Sequence, residues 1–176
     1  MTGEYGIRAT ALATMAFALL ASTVALAAGQ ADRDAKEVGS YVLTEAGLAK
    51  YTQASHGMKS VMEKSPETCK EDSEGAKSLD QMAAKLDAVP GAKAVMKSAG
   101  MSSREFFVFS MSLVQNAMAA WAQDQPAGKL PPGAQMANVK FYRAHESALK
   151  KLGEETKSHA CDDGDRTNES EQESEQ

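Results

Sequence analysis

An all-α fold, a helical bundle of four longer helices plus one short helix, is what this sequence predicts. Three observations carry the prediction. Apolar residues recur at three- and four-residue spacing through residues 43–158, the period of one helix face. Serine or threonine stands in a capping position before several of these segments, and Pro or Gly punctuates their ends. No stretch alternates apolar and polar residues as a half-buried strand does.

The elements follow in order. Thr44 is placed as an N-cap, with Leu43 and Leu48 at the spacing of a hydrophobic staple. Leu48, Tyr51, Ser55, Met58 and Met62 then line one helix face, and Ser65-Pro66 ends it. A polar loop, "PETCKEDSEGAK", leads to Ser78 and Gln81, a capping-box pair that opens a helix with Leu79, Met82, Leu86 and Val89 on its apolar stripe. Pro90-Gly91 breaks that helix. "AKAVMKSA" makes the short one, closed by Gly100. Ser102 and Glu105 form a second capping box, with Met101 and Phe106 as its staple. The helix they open runs without charge from Phe106 to Ala122. That is shorter than the roughly 20 apolar residues a span needs, and it contains Ser110, Ser112, Gln115 and Asn116. It is therefore expected at the centre of the bundle, not in a membrane. After the Pro- and Gly-rich "QDQPAGKLPPGAQ", a last helix spans Ala137 to Thr156, with Phe141, His145, Ala148 and Leu152 on one stripe and Val139, Tyr142 and Leu149 alongside.

The two ends belong to other classes of segment. Residues 1–27 have the layout of a secretory signal peptide: Arg8, an Ala/Leu-rich run, and Ala25-Leu26-Ala27 as a small-x-small cleavage pattern. Residues 28–42 read as an extended or flexible N-terminal segment. Residues 162–176 hold seven acids and one base and no apolar residue, the composition of a disordered, solvating tail. The tail accounts for the net charge of −5; without it the remainder is +1, because Glu4 and Arg8 of the signal segment cancel. A nearly neutral domain offers no clustered basic face for nucleic acid. Cys69 and Cys161 are an even pair in a chain marked for export, which predicts a disulfide. The expected location is periplasmic or secreted.

Few residues point to chemistry. No nucleophile motif, phosphate loop or dinucleotide fingerprint is present, and His145-Glu146 fails as a zinc motif because Leu149 stands where the second His belongs. Met58, Met62, Met82, Met96, Met101, Met111, Met118 and Met136 read as core filler, the alternative being copper or haem ligation. Ser112, Asn116 and neighbouring Gln115 make a narrow polar line on the central helix. It either faces water or points inward towards Tyr142 and His145 and lines a small pocket.

"VPGAKAVMKSAGMSSREFFVFSMSLVQNAMAA" followed by "ANVKFYRAHESALKKL" resembles a group of exported helical proteins of Gram-negative bacteria. The shared features fall on Pro90, Gly100, Ser103 to Glu105, and Asn138, Phe141 and His145. The resemblance implies a compartment and a fold but no activity. The function expected is that of a non-enzymatic binding or structural protein of the cell envelope, with another envelope protein as partner. The alternative is a bundle that binds a small ligand, haem or a metal between the central and last helices, with Asn116, Tyr142 and His145 as the residues to replace. A hydrolase is a third, weaker expectation.

Overall fold

The computed structural model describes residues 29–64, 76–126, 128–131 and 133–157. Within them the chain forms six helices and no strand: α1 (residues 29–40), α2 (Glu45–Lys64), α3 (Leu79–Ala88), α4 (Ala92–Ser98), α5 (Ser103–Gln123) and α6 (Met136–Thr156). The expected signal peptide (1–27), the Cys69–Cys161 disulfide and the acidic tail (162–176) lie outside the described residues.

Local chemistry sets the helix ends. The Thr44 hydroxyl accepts from Gly47 N at 3.1 Å, Ser78 from Gln81 N at 3.2 Å, and Ser102 from Glu105 N at 3.0 Å. Each satisfies a donor that has no partner in the first turn. Gln81 reaches back past the cap and accepts from Lys77 N at 2.7 Å. Gly100, at φ +71°, ends α4 in a Schellman motif, with Met101 N donating to Met96 O and Gly100 N to Lys97 O.

Helix α5 is central. It touches α2, α3, α4 and α6, and no helix among the described residues is long and apolar enough to cross a membrane. Phe109 is fully buried, and Tyr51 of α2 stacks on both Phe106 and Phe109 with ring centroids 5.0 Å apart. Around them pack Leu43, Ala54, Met58, Met96, Met101 and Leu113. A second cluster, Ala119, Ala120 and Val139, joins α5 to α6. Gly57 lets α2 lie close to α4; a Cβ there would stand 2.5 Å from Val95 Cγ1.

Two expectations are corrected here. Residues 29–40 are helical, not extended. Helix α1 carries Val38 as its one large apolar residue, so hydrophobic periodicity cannot reveal it. Polar contacts hold it instead. Arg104, on the first turn of α5, bonds Asp34 at 3.1 Å and Glu37 at 2.5 Å, and also pairs with Asp80 at the start of α3. Asp34 accepts from Leu79 N at 2.8 Å. The carboxylate of Glu37, helped by Asp34 and Asp80, raises the Arg104 pKa above its ordinary value despite desolvation. The second correction concerns α6. Ala148 is exposed, while Leu152 of the same stripe is buried and the inward line is completed by Asn138 and by Val139, Tyr142 and Leu149, which were expected alongside, because the helix turns its 142/149 side to the core.

Candidate functional site

The polar line on α5 turns inward, but to the end of α1. Ser112 is fully buried, and its hydroxyl donates to Val38 O at 2.9 Å. Gln135, just before α6, donates to Gly39 O at 2.8 Å. These side chains satisfy the last carbonyls of α1, which have no partner within their own helix. Asn116 is also buried and donates to Ser112 O at 2.7 Å. Gln115 reaches towards Gly39 and Gly133. Ser112, Gln115 and Asn116 therefore sit where α1, α5 and the segment before α6 meet.

His145 has a different surrounding. Its ring stacks on Phe141, with centroids 4.2 Å apart. Nδ1 lies 2.8 Å from Phe141 O and Nε2 lies 2.9 Å from a carboxylate oxygen of Glu45. Both nitrogens face oxygen atoms, one within α6 and one across on α2. His145 thus ties α6 to the start of α2.

Of the five predicted residues, Tyr142 alone lines the groove between α2, α5 and α6. That groove encloses about 260 Å³ and is walled by Tyr51, Ser55, Leu113, Ala117, Tyr142 and Leu149, among others. The Ser55 hydroxyl is buried in its wall with no hydrogen-bond partner among the described residues. Among the described residues no group of three or more His, Cys, Asp or Glu is arranged to hold a metal ion.

Beside the groove, α5 leaves one face open. Val114 is 58% exposed, Met118 65% and Trp121 67%, with Met111 at 37%. This corrects the reading of the methionines. Met58, Met96 and Met101 are buried, whereas Met111, Met118 and Met136 are exposed. The open line repeats at 3-4-3 spacing, and half-buried Phe107 extends it by one turn. No charged residue interrupts α5 between Glu105 and Asp124. The groove and this face meet at Val114 and Ala117. Near the end of α5, Arg143 donates to Ala120 O at 3.0 Å and to Asp124 at 2.7 Å. A cation there satisfies a terminal carbonyl and complements the helix dipole.

The sequence signal for this face was the lone tryptophan. A Trp on the same helical line as two methionines has the composition of interface cores. No protein family, no curated protein and no solved structure matches this chain.

Proposed function

We propose that this chain is a non-enzymatic, exported interaction protein of the cell envelope, which works by burying the open face of α5 against a protein surface. The observation that carries the reading is the exposure of Val114, Met118 and Trp121 in one unbroken line. Burying a side chain of this size completely is worth about 1.5–3 kcal/mol, and apolar patches left contiguous on a folded surface mark interaction sites. The signal-peptide layout of residues 1–27 supports export. The polar side chains of the interior support a non-enzymatic role. Ser112, His145 and Arg104 each hold one helix to another, and Asn138 holds the segment between α1 and α2 to α6.

The test places a photo-crosslinking side chain at Met118, and at exposed Lys140 as a control, in the full chain within its own envelope. A discrete adduct from position 118, absent from 140 and abolished by Val114→Lys with helicity unchanged, supports the reading. Equal labelling at both positions, or none, sinks it.

A second reading rests on the buried, unpartnered Ser55 hydroxyl in the groove wall. The groove volume of about 260 Å³ falls just below the roughly 300–1,000 Å³ of ordinary ligand pockets, so any ligand would be small and largely apolar. Native mass spectrometry of the protein from its own envelope decides it. A reproducible extra mass lost on Leu113→Trp favours the groove, and a bare chain removes the reading.

A further inference from the structure

We infer that the partner of the open α5 face is a second copy of this chain, joined through an antiparallel α5–α5 seam about a two-fold axis near Val114. The inference rests on the interaction reading above and names its partner.

The spacing is the first argument. Phe107, Met111, Val114, Met118 and Trp121 follow one another at intervals of four, three, four and three residues, the rhythm with which one helix packs along another. The line is about 21 Å long at the helical rise, and Val114 is its midpoint. An antiparallel copy therefore sets Trp121 of one chain against Phe107 of the other, and Met118 against Met111. A two-fold interface needs a patch that is complementary to itself, and setting the more exposed end, Met118 and Trp121, against the less exposed end, Met111 and Phe107, meets that need.

Charge is the second argument. A two-fold axis brings every charge in the seam close to its own copy, and like charges opposed in an interface are strongly unfavourable. Between Glu105 and Asp124, α5 has no charge to oppose. The same absence disfavours a lipid surface, where an amphipathic helix presents Lys and Arg beside its apolar side. Of the charges beside Trp121, Arg143 and Asp124 are paired with each other, and Glu146 lies on α6 at the rim.

Area is the third. A stable interface buries about 800 Å² on each partner. The exposed line supplies the apolar centre of such a patch, and groove residues Ala117, Tyr142 and Leu149 adjoin it at Val114. In a two-fold dimer each of these side chains is buried twice, once on each copy. A single chain thus provides both halves of the contact.

Trp121 is the only tryptophan of the chain, so its fluorescence reports the seam directly. Sedimentation equilibrium of the full chain over roughly 1–100 μM, the range of a moderate affinity, is expected to show monomer and dimer. The Trp121 emission should shift to the blue with the same midpoint. Met118→Lys places two like charges in the seam and is expected to weaken association on the order of 100-fold, with circular dichroism unchanged because the side chain is exposed. Sedimentation as a monomer throughout, with constant Trp121 emission, overturns the second-copy inference. In that case the crosslinker at Met118 separates the two ideas: a discrete adduct of other than doubled mass leaves the interaction reading standing, and no adduct removes both.

Discussion

Asn138 of α6 grips the chain on both sides of Val42. Its Oδ1 accepts the backbone N–H of Leu43 at 3.0 Å, and its Nδ2 donates to the carbonyl of Tyr41 at 2.7 Å. Asn138 is 2% exposed, so water cannot take over either bond. An amide is the group that offers one donor and one acceptor at this spacing. Asn138→Ala leaves a buried N–H and a buried carbonyl unpaired and is expected to cost about 2–4 kcal/mol in urea unfolding. Asn138→Asp sets a buried carboxylate oxygen against the Tyr41 carbonyl and should cost at least as much as Ala. An unchanged midpoint for Ala would show that the turn is held by other contacts.

Arg104 is the second joint. It pairs with Asp34 and Glu37 of α1 and with Asp80 of α3, and Asp34 is the most enclosed of the three acids at 14% exposure. Arg104→Ala leaves three carboxylates facing one another. We expect a loss of about 2 kcal/mol, held to that size because Glu37 and Asp80 remain accessible to solvent. The effect should be local. Amide hydrogen exchange in α1 should accelerate far more than in α5. Arg104→Lys should recover only part, since an ammonium lacks the planar fork. Equal loss of protection in α1 and α5 would contradict the local role.

Gly57 measures how closely α2 and α4 approach. The added methyl of Gly57→Ala would meet Val95 Cγ1 at 2.5 Å, and a β-branched side chain has little freedom to withdraw. Ala favours the helix by about 1 kcal/mol over Gly, so strain must exceed that gain. A net cost of about 1–2 kcal/mol is expected by thermal unfolding. Adding Val95→Ala should return most of it. Stabilisation by Gly57→Ala alone would mean that the two helices slide apart freely.

Tyr41 gives a test in alkali. Burial, and then the charge of Glu105, raise its pKa above the ordinary 10.0. A phenol whose folded pKa is raised contributes stability that is present below the unfolded pKa. That stability is lost as pH rises through the folded value. Unfolding free energy should therefore fall as pH climbs above about 10. Tyr41→Phe should flatten that slope, and Glu105→Gln should let the half-buried phenol ionise at lower pH, as read by phenolate absorbance. An alkaline slope identical in wild type and Tyr41→Phe would remove Tyr41 as its cause.

Legibility in the sequence followed the physics of each element. Helices α2 to α6 were readable because caps and breaks act within a few residues: Thr44, Ser78 and Ser102 each bond an amide three residues on, and Gly100 closes α4 by its own backbone angle. Helix α1 was not readable. Its anchors Asp34 and Glu37 meet Arg104 across about 70 residues of chain, and no local pattern encodes such a pairing. Ser112 and Asn116 were rightly singled out as unusual, since a buried polar residue must have a partner. The docking of α1 gave Ser112 its partner, Val38 O, whereas Asn116 bonds Ser112 O within its own helix and keeps a buried Oδ1 without a partner among the described residues.

The sequence by itself determined the helical class, the order of helices α2 to α6, and the apolar, uncharged character of α5, because those properties reside in periodicity and capping along the chain. Tertiary structure alone decided which side of α5 stays open. Helix α5 is apolar on nearly every side, so its own sequence does not say which line its neighbours will cover. Helices α2, α3, α4 and α6 settle around it, with α1 pinned at Arg104 and Ser112. The face carrying Val114, Met118 and Trp121 is the one left uncovered.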